Sequence, residues 1–201
     1  MDKLIDYIGV YDSILEPKLC QKLIELFEIN SNDVIEQTTG FHSQNFLRRK
    51  GTEIDLWGCG AFNKIYREVV LDGIFYSLEM YKKQTGDPYD VIHNNSKECK
   101  LERFRLRKSG KNDGFFSEHC DIVNYNTSGR LLVVMFYLNT IGLGGETVFT
   151  NIDLSVQPKE GRVLIFNPSF LFPHKANKPV SEHKYTLQTY LHYTEGGVYQ
   201  E

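Results

Sequence analysis

Residues 184–193 read Lys-Tyr-Thr-Leu-Gln-Thr-Tyr-Leu-His-Tyr, a run with the two-residue period of a β-strand. Successive side chains of a strand point to opposite faces. One face would carry Lys184, Thr186, Gln188, Tyr190 and His192, and the other Tyr185, Leu187, Thr189, Leu191 and Tyr193. The mainly apolar second face predicts a strand that packs on both sides, so that the polar row lines a wet cavity rather than facing bulk solvent.

Similar short runs, separated by turns that contain glycine or proline, extend back to about residue 100. They cover residues 101–108, 115–124, 131–138, 147–149, 154–157, 162–166 and 174–177. Short strands at such regular spacing are typical of a sandwich, a jelly roll or a barrel. Residues 131–138 are apolar on both faces, which predicts a central strand covered on both sides. Residues 142–145 are glycine-rich and predict a turn, since no Lys-Ser or Lys-Thr pair follows as in a phosphate-binding loop.

The first half of the chain has a helical pattern instead. Apolar residues recur at helical spacing over 17–29 and over about 61–81, and the second run is followed by Gly86 and a proline. No linker separates the two halves. We therefore expect one domain of mixed α+β class, with a mainly helical support region over 1–99 and a β-rich core over 100–193.

The composition excludes several classes of protein. Hydrophobic residues make up 41% and charged residues 24% of the chain, as in ordinary globular proteins. The net charge of −3 offers no electrostatic footprint for nucleic acid or an anionic membrane. The apolar run 131–138 is far shorter than the ~20 residues of a membrane-spanning helix. The N-terminus lacks a secretory pattern and the 4 cysteines are scattered, so we expect a cytoplasmic protein with reduced thiols and neither nucleic-acid nor membrane partners.

Three potential metal ligands lie in the β-rich half: His119, Asp121 and His174. Positions 119 and 121 of a strand share a face, so both side chains can reach one ion, whereas Cys120 points away. Two histidines and one carboxylate leave coordination positions open, as in non-haem Fe(II) oxygenases. A His-x-Asp tripeptide taken alone is more often a surface loop or a satisfied polar group of the core.

Lys184 would lie inside the barrel, on the polar face of the last strand. A buried lysine is rare unless an anion pairs with it. The position of Lys184 therefore predicts an anionic co-substrate beside the metal. The alternative is an ordinary amphipathic edge strand with Lys184 in water.

These residues belong to a longer ordered series within about residues 100–193. His119-x-Asp121 is followed by Tyr137-Leu138-Asn139, Gly144-Gly145-Glu146-Thr147-x-Phe149, Pro158-Lys159-x-Gly161-Arg162-x-Leu164-x-Phe166, His174 and Lys184. The series resembles the Fe(II)/2-oxoglutarate-dependent dioxygenases, and most closely their prolyl 4-hydroxylase branch.

The resemblance implies a double-stranded β-helix, or jelly-roll, core with N-terminal support helices. It implies that His119, Asp121 and His174 bind Fe(II), with no catalytic residue beyond these ligands. Lys184 would pair with the distal carboxylate of the co-substrate 2-oxoglutarate, and Tyr137 would hydrogen-bond the same carboxylate. O₂ would complete the reactants, and ascorbate is a further candidate cofactor.

The sequence departs from the family pattern before the metal motif. Family members usually carry a tyrosine on the first core strand, whereas residues 103–110 contain none. Arg105 or Arg107 could supply a compensating charge, but the alternating charges favour an exposed strand. His192 shares the face of Lys184 and is a further candidate for the cavity wall.

The resulting expectation is a 2-oxoglutarate-dependent dioxygenase, similar to procollagen-proline 4-dioxygenase, that acts on proline in a peptide or protein. Loops over 40–55 and 108–114 would frame its substrate groove. One alternative is an oxygenase of the same fold that acts on a free amino acid or another small molecule. The other is a non-catalytic jelly-roll module with a structural metal, for which a fourth protein ligand would be normal.

Overall fold

The computed structural model describes residues 3–30, 35–36, 39–40, 47–56, 68–86 and 99–193. In chain order its strands are β1 (Gly9–Tyr11), β2 (Ile35–Glu36), β3 (Thr39–Gly40), β4 (Leu47–Lys50), β5 (Thr52–Asp55), β6 (Cys99–Leu101), β7 (Arg105–Ser109), β8 (Phe115–His119), β9 (Arg130–Tyr137), β10 (Thr147–Phe149), β11 (Leu154–Val156), β12 (Val163–Phe166), β13 (His174–Ala176) and β14 (Lys184–Tyr193). They form two antiparallel sheets of 8 and 6 strands. The architecture is the expected double-stranded β-helix.

The larger sheet has the order β1-β12-β9-β14-β7-β5-β2, and β6 also pairs with β14. Strand β14 has the bounds that its alternating pattern predicts. It places Thr186 opposite Tyr137 of β9 on one side and opposite Arg107 of β7 on the other. The polar row of β14 therefore lies at the centre of this sheet.

The smaller sheet has the order β11-β10-β13-β8-β4-β3. In the pairing of β13 with β8, His174 lies directly opposite His119. Directly opposed residues of antiparallel strands have side chains within about 5.5 Å of each other. The register of two short strands thus brings together histidines that are far apart in the chain.

Two apolar clusters hold the sheets and helices together. The inner cluster lies between the sheets and includes Val133, Phe149, Phe166 and Tyr190. The outer cluster lies between the larger sheet and the helices, where Phe136 and Leu187 are almost completely buried. Strand β9 contributes to both clusters, as the apolar run 131–138 predicts.

The helices cover the outer face of the larger sheet. Helix α1 spans Pro17–Ile29, as predicted, and its Phe27 packs edge-on against Tyr185. A π-helical segment, Glu68–Phe75, continues into α2 (Tyr76–Thr85), which ends at Gly86 in the left-handed conformation. The predicted start of this helix, residues 61–67, lies outside the described residues. Short 3₁₀ helices span Leu4–Tyr7 and Tyr125–Thr127, and no helix in the described ranges could cross a membrane.

The structure corrects several predicted boundaries. The region 1–99 is not only helical support, because β1 pairs with β12, β4 with β8 and β5 with β7. The stretch 40–55, predicted as a loop, contains β4 and β5. The predicted strand 101–108 is divided into β6 and β7. The predicted strand 115–124 ends at His119, because Asp121 N–H instead donates to the carbonyl oxygen of Pro168 at 3.1 Å.

Candidate active site

The three predicted metal ligands meet at one end of the space between the sheets. One ligand atom from each of His119, Asp121 and His174 lies within 4.8 Å of the other two. The Nε2 atoms of His119 and His174 each lie 3.6 Å from a different carboxylate oxygen of Asp121. Asp121 reaches the group from the bend after β8, and not through strand alternation as the sequence predicts.

Hydrogen bonds to the backbone fix the orientation of both histidines. Nδ1 of His119 donates to the carbonyl oxygen of Ser117 at 2.8 Å, and Nδ1 of His174 donates to that of Phe172 at 3.0 Å. A carbonyl oxygen only accepts, so each Nδ1 carries the proton and each Nε2 offers a lone pair toward Asp121. Burial lowers the pKa of His174, which favours the neutral imidazole that binds metals.

The carboxylate of Asp121 is ionised and incompletely satisfied. Burial by itself raises its pKa, but a hydrogen bond and positive charge from His119 and His174 when these rings are protonated, together with the charge of Arg107, hold that pKa well below its usual range. Its Oδ2 is buried and accepts no hydrogen bond from any residue that the structure describes. A buried carboxylate oxygen without a partner is unfavourable, and a bound cation would satisfy it. The donor set of two imidazoles and one carboxylate fits Fe(II).

Aromatic rings pack around the two histidines. Phe116 stacks on the ring of His119 with a centroid distance of 3.5 Å, and Phe166 meets His174 edge-on at 4.8 Å. Stacking of this kind restricts ring rotation and keeps water away from the imidazoles. The two candidate histidine ligands are therefore held by packing as well as by hydrogen bonds.

A cavity that is open to solvent connects this group with the polar row of β14. Its wall includes the three metal-binding candidates together with Lys184, Thr186 and Gln188. The other two members of the row do not line it. Tyr190 is buried under Arg130, and the side chain of His192 is partly exposed, 4.0 Å from Glu102.

Lys184 is a buried cation inside this cavity, with only 4% of its surface exposed. Its Nζ donates to the carbonyl oxygen of Gly145 at 2.8 Å. Gly144 and Gly145 both have positive φ, and a side chain on Gly144 would clash with the backbone of Lys178. Glycine is therefore required for the turn that directs this carbonyl at Lys184.

In the described ranges the hydrogen-bond partner of Lys184 is a backbone carbonyl and not a carboxylate, and the charge of Glu146 acts on its pKa without an ion-pair contact. Burial lowers the pKa of Lys184 to about 8. An ammonium group in this position lacks the anion that normally accompanies a buried lysine. The cavity is thus suited to a carboxylate at the Lys184 end.

Tyr137 does not line the cavity. It is fully buried, and its hydroxyl donates to Oγ1 of Thr147 at 2.7 Å. Thr147 stands in the cavity wall, and its own hydroxyl proton remains available to a ligand. This arrangement therefore does not support the predicted direct contact between Tyr137 and a co-substrate. The sequence pattern did not single out Thr147 as a residue of the cavity wall.

The expectation of an exposed, charged strand at 101–108 is wrong. Arg107 lines the cavity, and Arg105 is 11% exposed beside Glu53 and Glu102. Arg130 pairs with Glu102 through two hydrogen bonds of 2.8 and 3.1 Å, and its guanidinium lies 3.8 Å from the ring centre of Tyr190. A buried ionic network therefore adjoins the metal ligands.

Comparisons with known proteins agree with this geometry. Residues 104–192 match the family model of the 2OG-Fe(II) oxygenase superfamily. A search of curated proteins finds no match.

Solved structures of low sequence identity share the fold over nearly the whole chain. A viral collagen prolyl hydroxylase from Paramecium bursaria chlorella virus-1, solved with 2-oxoglutarate, has a TM-score of 0.61 at 16% identity, over 94% of this chain and 97% of its own. A prolyl-4-hydroxylase from Pseudomonas putida has a TM-score of 0.61 at 13% identity, over 93% and 92%. A prolyl hydroxylase from Trichoplax adhaerens, solved with a hypoxia inducible factor peptide, has a TM-score of 0.63 at 14% identity, over 94% and 84%.

The match covers every candidate ligand and the cavity lysine, and the jelly-roll fold agrees with it. Fe(II), 2-oxoglutarate and O₂ are the cofactor and co-substrates of this family. Residues 104–192 are thus similar to the 2OG-Fe(II) oxygenase superfamily, and the chain has the fold of the solved prolyl 4-hydroxylases.

Proposed function

We propose that this oxygenase hydroxylates proline residues in a peptide or protein. The observation that carries the proposal is a single cavity with a metal-binding group at one end and an unpaired buried cation at the other. Such a cavity suits a co-substrate that chelates a metal with its keto acid and presents a second carboxylate. 2-Oxoglutarate has both features.

In this proposal each residue of the cavity has a defined task. His119, Asp121 and His174 would hold Fe(II), which in this family supplies oxidation of a C–H bond coupled to decarboxylation of 2-oxoglutarate. Lys184 binds the distal carboxylate and so fixes the direction of the co-substrate. Phe116 and Phe166 exclude water around the two histidines.

The choice of proline rests on two supports. Three structures with this fold are named as prolyl hydroxylases, and one of them was solved with a peptide. The cavity also opens beside β4 and β5, where Lys50 is partly exposed and Phe115 stands in the wall. An extended peptide fits such an edge, and proline loses little conformational freedom there because its φ is already fixed.

The test is coupled turnover on peptides. Protein supplied with Fe(II), 2-oxoglutarate and O₂ is incubated with a library of proline-containing peptides, and succinate and peptide mass are measured together. We expect succinate formation to match the gain of one oxygen atom in particular proline peptides, and to be absent for the same peptides with alanine in place of proline. Oxygen gain on free amino acids but on no peptide would replace this proposal with the small-molecule alternative.

A cytoplasmic location is part of the same proposal. Among the cysteines whose side chains are described, Cys20 and Cys120 are free thiols, which supports a reducing compartment. Fluorescent tagging of the full chain in its own cell would test the location. Signal in a secretory compartment would contradict it.

A further inference from the structure

Arg107 lines the cavity, but the proposed function assigns it no task. It lies on β7 opposite Thr186, and its side chain lines the cavity. Its Nε donates to Oε2 of Glu53 at 2.5 Å, and its Nη1 donates to Oε1 of Gln188. The third nitrogen, Nη2, makes no hydrogen bond to any residue in the described ranges and is not completely buried.

The two partners of Arg107 fix the plane of its guanidinium. Glu53 comes from β5 and Gln188 from β14, so the group is held from both neighbouring strands. Because Nε and Nη1 are engaged, Nη2 is the guanidinium nitrogen that lacks a hydrogen-bond partner in the described ranges. A guanidinium that is fixed in this way binds a carboxylate with little further loss of conformational freedom.

Arg107 is near enough to both ends of the cavity for its charge to be felt there. Its charge acts on Asp121 at the metal end and on Lys184 at the other end. The other cations of the wall are less suited to a ligand at the metal end, because Lys50 pairs with Asp113 at 2.6 Å and Lys108 with Glu28 at 2.8 Å. Both of these pairs are also more exposed to solvent than Arg107.

We propose that Arg107 binds the metal-end carboxylate of 2-oxoglutarate through Nη2, while Lys184 binds the distal one. The cavity then recognises both carboxylates of the dianion with separate cations. This inference rests on the proposed co-substrate and deepens it, since it assigns a specificity residue on the strand where the sequence lacks the family's tyrosine.

Two truncated ligands separate the roles of the two cations. 2-Oxopentanoate keeps the keto acid and lacks the distal carboxylate, whereas 4-oxopentanoate keeps the keto group and the distal carboxylate and lacks the other. The dissociation constants of both, and of 2-oxoglutarate, are measured by calorimetry on Mn(II)-loaded protein. Mn(II) affinity itself is measured by electron paramagnetic resonance.

We expect Arg107→Gln to raise the dissociation constants of 2-oxoglutarate and 2-oxopentanoate by roughly 10- to 100-fold, as for loss of a charge-assisted hydrogen bond. The dissociation constant of 4-oxopentanoate should stay unchanged. Lys184→Met should weaken the binding of 2-oxoglutarate and 4-oxopentanoate and leave the binding of 2-oxopentanoate unchanged. Arg103→Gln is the matched control, since Arg103 is an exposed arginine that pairs with Asp55. It should change none of the three constants.

Removal of Arg107 alone leaves Glu53 with a weaker partner, so the double variant Glu53→Gln, Arg107→Gln is measured as well. Equal weakening of all three ligands in both variants, or no weakening at all, would overturn the assignment of Arg107. Loss of Mn(II) binding would overturn it too, because Arg107 would then serve the metal ligands. Failure of the unmodified protein to bind any of the three ligands would instead reject the proposed co-substrate, and the assignment with it.

Discussion

Arg130 Nη1 donates a hydrogen bond to the backbone carbonyl oxygen of Asp121 at 3.0 Å. The rest of its guanidinium is held by Glu102 and lies on the ring of Tyr190. Asp121 is in a bend beyond the end of β8, where no strand pairing fixes its backbone. Arg130 thus supports the position of a candidate metal ligand without contacting its carboxylate.

Arg130→Met should weaken Mn(II) binding by roughly 10-fold, the lower end of the effect known for groups that orient metal ligands. Calorimetric titration with Mn(II) measures the change. Arg130→Lys should recover little, because an ammonium group cannot bond Glu102 and Asp121 in the same fork geometry. Unchanged Mn(II) affinity in Arg130→Met would show that the bend holds Asp121 without help.

Substitution of a metal ligand should abolish turnover. Asp121→Ala removes the carboxylate that faces both histidines, and His174→Ala removes one Nε2 donor. Both variants should lose Mn(II) binding and the conversion of 2-oxoglutarate to succinate. His183→Ala is the control, because His183 is an exposed histidine that does not line the cavity. Normal turnover in either ligand variant would contradict the metal assignment.

Removal of the metal should inactivate the protein without unfolding it. Most of the folding free energy comes from the two apolar clusters, whose residues include the fully buried Phe149 and Leu187. A chelator should therefore stop succinate formation while thermal unfolding stays cooperative. If chelation abolished the cooperative transition, the structural-metal alternative would be favoured.

Patterns within one segment predicted much of the fold. The alternation of residues 184–193 and the helical spacing of 17–29 each define an element by its own sequence, and both have the predicted bounds. The order of the family motifs likewise locates His119, Asp121 and His174. Each of these features could be predicted because it is determined by the order of residues along the chain.

Features that depend on distant segments could not be predicted in this way. Arg107 looks exposed within its own charged strand, yet it is covered by Glu53 from β5 and Gln188 from β14. The position of Thr147 in front of Tyr137 depends on how β10 packs against β9. Only the assembled sheets determine which of these side chains reaches the cavity.

The affinity for 2-oxoglutarate should fall at alkaline pH. Burial lowers the pKa of Lys184 to about 8, so the free protein loses this charge as the pH rises through that value. A bound carboxylate favours the charged form and raises the pKa, so binding above this pH requires uptake of a proton. The dissociation constant should be nearly constant at neutral pH and rise by up to about tenfold per pH unit above the pKa.

Calorimetry on Mn(II)-loaded protein measures this dependence. Lys184→Arg stays charged throughout the range and, whatever its affinity, should not show the alkaline rise. The same affinity at neutral and alkaline pH in the unmodified protein would show that Lys184 does not bind the co-substrate as a cation.

Tyr137 should act on the co-substrate through Thr147, since its hydroxyl donates to Oγ1 of Thr147 and leaves the proton of Thr147 for a ligand. Thr147→Val should raise the dissociation constant of 2-oxoglutarate by roughly 3- to 10-fold, as for loss of one neutral hydrogen bond, and Tyr137→Phe should raise it less. In the double variant, Tyr137→Phe should add nothing to the effect of Thr147→Val, because residues that act in series are not additive. Thr85→Val removes a buried hydroxyl of α2 and should leave the constant unchanged. Additive effects in the double variant would show that Tyr137 reaches the carboxylate directly.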